Sequence, residues 1–232
     1  MCGRFTQTSD AATLAQRFRA VVARGPAVEP RYNIAPTDFV PVVVLSSAQE
    51  RFLAQFRWGL LPAWARSLKD RPQPINAKAE TLAASGMFRR LLPAQRCLVL
   101  ADSFFEWTGP KSARRPMRIC LRSRAPFAFA GLWDAWQDPE KGDAPALRSC
   151  TIVTVAANSL VAPLHDRMPA ILRPDDEERW LDPALREPAN LAPLLRPYDA
   201  RELETYPVSE QVNSVRCQGP ECIAPRSPVG DG

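Results

Sequence analysis

Histidine is nearly absent from this 232-residue chain: His165 is the only one. That scarcity argues against a zinc site, which draws several ligands from histidine and cysteine, and no metal is expected. Cysteine is sparse too. The six, at positions 2, 97, 120, 150, 217 and 222, are an even number without the density of a disulfide scaffold. In a reducing compartment most should behave as small buried hydrophobes. Cys217 and Cys222 lie closest together, but no second pair completes a tetrahedral set. No apolar run approaches the roughly 20 residues needed to cross a bilayer. No basic segment leads into an apolar stretch at the N-terminus, so the expected compartment is the cytosol. Neither a G-x-x-x-x-G-K-[ST] loop, a Rossmann glycine pattern nor a G-x-S-x-G elbow occurs, so no nucleotide cofactor is expected.

Acidic residues are missing from one long stretch. Between Trp107 and Trp133 there are six basic residues, Lys111, Arg114, Arg115, Arg118, Arg122 and Arg124, and no acid. From Arg51 to Asp70 the last residue is the only acid, beside Arg57, Arg66 and Lys69. The net charge is +5. Such local excess suits a phosphate backbone, although a solvated arginine-rich surface has the same composition.

Hydrophobic periodicity predicts a helix over residues 9–24, with Leu14, Phe18, Val21 and Val22 on one face and Ser9 or Asp10 as cap. FVPVVVL (39–45) and Phe52–Trp58 read as strands, and ETLAASGMFRRLL (80–92) as a helix weakened by Gly86. The middle is strand-rich: CLVLADSFFEW, PMRICLRS, FAFAGLWDAW and CTIVTVAA. In PMRICLRS, alternation would turn Met117, Ile119 and Leu121 inward and leave Arg118, Cys120 and Arg122 as a basic outer face. That face is either a wall for nucleic acid or the charge that keeps an edge strand soluble. RPDDEERWL and EPANLAPLL read as short helices. Strands in series with few helices predict one α+β domain with a mainly antiparallel sheet. Its expected span is 1–218, with a fraying tail from Gly219.

Four residues stand out chemically. Cys2 follows the initiator methionine; with Met1 removed it would carry an α-amine and a thiol on neighbouring carbons. Their ordinary pKa values are about 7.7–8.0 and 8.5, so both can reach nucleophilic forms near neutral pH. His165, in LHDRMP, is either a proton carrier near pH 7 or a structural side chain. Glu106, in FFEW, either faces solvent by alternation or sits in an apolar pocket that would raise its pKa. Asn76 and Lys78 in INAKAET would point the same way from an extended segment.

Together, MCGRF, RYNIAP, WGLLPAW, INAKAET, DSFFEW, AGLW, TIVTVAA and LHDRMP run in the order seen in the SRAP proteins, the SOS-response-associated peptidases. The chain resembles this family over residues 2–170, and more weakly through YPVSEQVN (206–213). The resemblance implies a barrel-like β core flanked by short helices. It also implies that the protein senses abasic sites in single-stranded DNA as a monomer, associated with the nucleoid when bound. Processed Cys2 would form a thiazolidine with the abasic aldehyde, with Asn76, Glu106 and His165 assisting. Arg4 and Lys78 would hold flanking phosphates, Trp58 and Trp64 would stack on bases, and Asn33, Pro36 and Arg167 would complete the DNA contacts. Two positions depart from the expected pattern: a lysine stands at 78 where arginine is expected, and Gly86 where a basic residue is. Rival readings are a type 2 glutamine amidotransferase, which also begins Met-Cys-Gly, a non-covalent single-strand binder, and a peptidase acting on other proteins or on its own Met1.

Overall fold

Short runs of β-branched and aromatic residues punctuated by proline and glycine leave little room for long helices, and the computed structural model is built from thirteen strands and three short α-helices among the described residues. These are residues 2–69, 72–110, 113–142 and 144–226. In chain order the strands are β1 Phe5–Gln7, β2 Val21–Val22, β3 Arg31–Ile34, β4 Phe39–Leu45, β5 Arg51–Trp58, β6 Asn76–Lys78 and β7 Arg96–Ala101. They continue as β8 Ser103–Thr108, β9 Arg115–Leu121, β10 Phe127–Trp136, β11 Leu147–Ala156, β12 Arg167–Pro169 and β13 Leu203–Pro207. The helices are α1 Ala11–Phe18, α2 Pro174–Leu181 and α3 Pro188–Leu191. None is long and apolar enough to cross a membrane.

The larger sheet runs β12-β11-β10-β7-β4-β5-β2, and β11 also pairs in parallel with β5 through Ser149 with Arg57 and Cys150 with Trp58. That last pairing closes β5, β4, β7, β10 and β11 into a five-stranded barrel. Farther along β11, Ile152 to Thr154 pair in parallel with β6, so one edge of a single strand serves two partners. The smaller sheet, β13-β9-β8-β1-β3, is antiparallel and lies against the barrel. Phe5 joins them: its ring meets Trp58 edge-on at 5.1 Å and Phe129 at 5.8 Å. A second small core, Phe105, Val208, Val212 and Cys222, seats the C-terminal segment on the small sheet.

The single-domain, mainly antiparallel reading holds, and the structure revises it in detail. The first helix stops at Phe18, not at residue 24, because Arg19 turns left-handed (φ 51°) as its C-cap. Val21 and Val22 then pair with β5 as an exposed edge. The 97–107 run is two strands, broken at Asp102, whose carboxylate is tied to Thr6 and Thr8. Residues 80–92 form a 3-10 turn and irregular turns in place of a helix. Their leucines at 82, 91 and 92 are buried, a spacing that matches no single helical face. The basic outer face of PMRICLRS does not exist as drawn. Arg118 is buried, donating to Ser103 Oγ (2.8 Å) and to the Tyr206 hydroxyl (2.7 Å), because β13 and its flanks cover that side. Of the residues expected to fray, Cys222 is fully buried and the Arg226 amide donates to the Pro207 carbonyl, while Pro220, Glu221, Ala224 and Pro225 are exposed; 227–232 lie outside the described residues.

Candidate active site

Cys2 stands three residues before Phe5, the first residue of β1, which is paired on both sides by β3 and β8. Cys2 has no exposed surface. Its thiol points to the Arg4 carbonyl (3.5 Å), and burial, with the negative charge of Glu106 nearby, holds its pKa well above the ordinary value. Asn76, at the start of β6, donates from Nδ2 to the Cys2 carbonyl at 2.8 Å. Alternation along β6 buries Ala77 and turns Asn76 and Lys78 to the same side, as predicted, with Lys78 exposed.

Beside this terminus opens a cleft of about 960 Å³. Its lining includes Arg4, Glu106, Trp107, Arg114, His165 and Asn213. Glu106, on β8, is buried and does not face open solvent, but its surroundings are the charged wall of the cleft and not an apolar pocket; desolvation raises its pKa. His165 lies in the turn between β11 and β12. Its Nδ1 accepts the Arg167 amide hydrogen at 2.9 Å, while Asp166 Oδ1 sits 2.7 Å from the same nitrogen. The amide favours an unprotonated Nδ1 and the carboxylate a protonated one; burial decides, and the His165 pKa falls below its usual value. At pH 7 the imidazole is therefore neutral and competent to move a proton.

Four candidates for DNA contact are in structural use. Trp58 is fully buried, with its indole N–H on the Ile75 carbonyl (2.9 Å), so it cannot stack on a base. Asn33 is fully buried and donates to the Val212, Ser214 and Cys217 carbonyls while accepting from Arg4 at 2.6 Å. Arg167 is spent on a bidentate pair with Glu80 (2.7 and 2.8 Å) and on the Thr154 carbonyl (2.6 Å). Pro36 shapes a tight turn, with Thr37 following at φ 80° and the Asp38 amide closing on the Ala35 carbonyl. Trp64 is exposed, and Arg4 lines the cleft. Sequence reasoning did not single out Arg114, Arg115, Trp107 or Asn213 as lining residues. The arginines were signalled only by the acid-free stretch, and Asn213 by the weakly matching YPVSEQVN. Lys111 of that stretch lies outside the described residues.

The family model described as SOS response associated peptidase (SRAP) matches residues 1–215. The chain belongs to the SRAP family. Among curated SRAP relatives, the abasic site processing protein YoqW of Bacillus subtilis is 42% identical over 227 residues, covering 96% of this chain and 99% of its own. YedK of Escherichia coli, carrying the same description, is 32% identical over 97% of this chain and 100% of its own. The Gallus gallus protein HMCES, also described so, is 33% identical over 84% of this chain and 66% of its own. A crystal structure of a Bacteroides thetaiotaomicron protein superposes with a TM-score of 0.86 at 27% identity, over 97% of this chain and all of that one. In this chain the SRAP domain brings Cys2, Asn76 and the cleft with Glu106 and His165 together.

Proposed function

We propose that this SRAP protein captures abasic sites in single-stranded DNA by a covalent bond to processed Cys2, acting as a monomer. The observation that carries the reading is the convergence of a fixed Cys2, a buried Glu106 and a neutral His165 at one cleft edge. The relatives, named abasic site processing proteins, suggest the substrate.

With Met1 removed, the Cys2 amine adds to the open-chain sugar aldehyde, and loss of one water gives an imine. The Cys2 sulfur then adds to the imine carbon and its proton goes to the ring nitrogen, closing a five-membered thiazolidine. Closure is intramolecular, which favours it strongly. The Cys2 thiol is held neutral by burial, so it would react with proton transfer and not as a standing thiolate. Glu106, with its raised pKa, is suited to carry a proton as water leaves. His165 is suited to open the sugar hemiacetal, and Asn76 to hold the terminus in line. Arg4, Arg114 and Arg115 on the cleft, with exposed Lys78, would meet phosphates, and Trp64 a base. Lysine at 78 keeps the charge and loses arginine's two-pronged grip.

The test is intact mass of protein with its native N-terminus, mixed with a single-stranded oligonucleotide carrying one abasic site, without reductant. The expected product has the two masses less one water, survives denaturation and is absent with Cys2→Ala. A product seen only after borohydride trapping would leave the thiol without a role. No product from chains shown to lack Met1 would overturn the reading and favour the glutaminase assay.

A further inference from the structure

The C-terminal segment holds a pair of thiols that the site chemistry does not use. Cys217 and Cys222 flank a turn ending in a 3-10 helix at Pro220–Cys222, and their sulfurs are 2.8 Å apart. Cys222 is buried in the small core with Phe105, Val208 and Val212, whereas Cys217 is half-exposed. The Cys222 thiol donates to the Cys217 sulfur, and the Cys217 thiol donates to Glu221 Oε1 at 3.2 Å. Chemistry therefore has a direction here: an outer sulfur with a carboxylate to take its proton, and an inner sulfur behind it.

Two occupations of such a site compete. The Glu221 carboxylate lies with both sulfurs within 4.8 Å, a three-donor set that no fourth histidine, cysteine or acid joins among the described residues. Tetrahedral zinc, with bonds of about 2.3 Å to sulfur, would hold two thiolates about 3.8 Å apart. The sulfurs sit well inside that separation, and about 0.8 Å of further approach reaches bonding distance. The geometry favours a disulfide over a metal.

We propose that Cys217 and Cys222 are a reversible thiol–disulfide site, oxidised by low-molecular-weight disulfides of the glutathione type. Cys217, having given its proton to Glu221 or solvent, attacks one sulfur of oxidised glutathione and expels one glutathione thiolate. Cys222 then loses its proton and attacks the Cys217 sulfur, expelling the second. Two protein thiols give up two electrons and two protons, and glutathione disulfide becomes two glutathione thiols. Burial and the contact with Cys217 push the Cys222 pKa up to about 12, so little of it is thiolate and the first attack falls to the outer Cys217. The other four cysteines are buried and separate from this pair, so oxidation should be selective.

The site has a structural reach. The Cys217 carbonyl is one of the three that Asn33 grips, and Asn33 in turn holds Arg4 at the cleft. Closing the ring would fix the segment that Asn33 clamps.

The experiment is peptide mapping of the full chain equilibrated across ratios of oxidised to reduced glutathione, then alkylated. Trypsin cleaves after Arg216 and Arg226, so both sulfurs fall in one peptide, CQGPECIAPR. Oxidation should leave this peptide unalkylated and about 2 Da lighter than its free dithiol form, reversibly with dithiothreitol, and should slow cleavage at the exposed Arg216 in the native protein. Cys222→Ser should instead trap glutathione at Cys217, adding about 305 Da. Full alkylation of both cysteines at ratios that oxidise a free dithiol peptide would overturn the proposal. So would stoichiometric zinc recovered with the purified protein and lost in Cys217→Ser. Trapping of glutathione on Cys222 in Cys217→Ser, with none on Cys217 in Cys222→Ser, would refute the order of attack.

Discussion

Replacing Asn33 with alanine tests whether this side chain is a clamp or a DNA contact. Its amide nitrogen faces three carbonyls, Val212 at 3.1 Å, Ser214 at 2.9 Å and Cys217 at 3.0 Å, and its oxygen takes the Arg4 guanidinium at 2.6 Å. The amide has only two hydrogens, so alanine removes two neutral bonds and one to a charged group. At about 1 kcal/mol for each neutral bond and about 1.5–3 for the charged one, the gross loss is about 3.5–5 kcal/mol. Residues 213 to 216 are exposed, so water can replace part of this, and a net loss of about 2–3 kcal/mol is expected. The damage should be local. Urea unfolding gives the global value, and amide hydrogen exchange should show residues 208–226 opening more readily. Trp107, whose indole donates to Asn213 Oδ1 at 2.7 Å, provides a fluorescent reporter in the affected region. Asn33→Asp sharpens the test, because it keeps a partner for Arg4 yet turns a carboxylate onto carbonyl oxygens; it should be no better than alanine. A loss under about 0.5 kcal/mol with unchanged exchange would refute the clamp, since even one buried hydrogen bond is worth more than that.

Two further outcomes follow from burial. Glu106 has a folded pKa above its unfolded value of 4.5, because burial penalises its charge, so the native state binds more protons than the unfolded state above that pH. Stability contributed by this group is therefore lost as pH rises through the folded value. Glu106→Gln should be more stable than wild type at pH 7, with the gain vanishing below about pH 4.5, while crosslinking slows; a gain that grew toward acid pH would contradict the sign. In the barrel, a methyl at Gly131 would lie 2.7 Å from Cys97 Sγ and 2.8 Å from Val99 Cγ2. Gly131→Ala should cost about 1–3 kcal/mol and lower Tm by about 2–12 °C in a thermal melt, and an unchanged Tm would mean that the strands have slack there.

What could be read from the chain beforehand follows a physical line. The strand at 39–45 and the strand at 127–136 have the bounds predicted, because each is a β-branched or aromatic run between turn signals. The helix at 9–24 overran, because Val21 and Val22 continue its period and nothing local reveals that β5 will recruit them. The fate of polar and aromatic candidates depended on partners far away in sequence. Arg118 found Ser103 and Tyr206, Arg167 found Glu80, and Asn33 found carbonyls nearly two hundred residues on. Residue type states what a side chain can do, whereas its long-range neighbours determine what is left for it to do. Cys2, Glu106 and His165 were legible because each combines rare chemistry with a distinctive local phrase.

The complete burial of Cys2 has a consequence for when the protein can mature. An external aminopeptidase needs the first residues extended and free, yet β1 is sealed between β3 and β8 once the small sheet forms. β8 is made about a hundred residues after β1, which at 5–20 residues per second leaves about 5–20 s of synthesis during which the terminus is still open. Removal of Met1 by a separate enzyme would belong to that interval on the ribosome. Once the sheet has closed, Cys2 is fully buried beside the cleft, so any processing of a chain that folds first would depend on groups lining that cleft or on local opening of the small sheet.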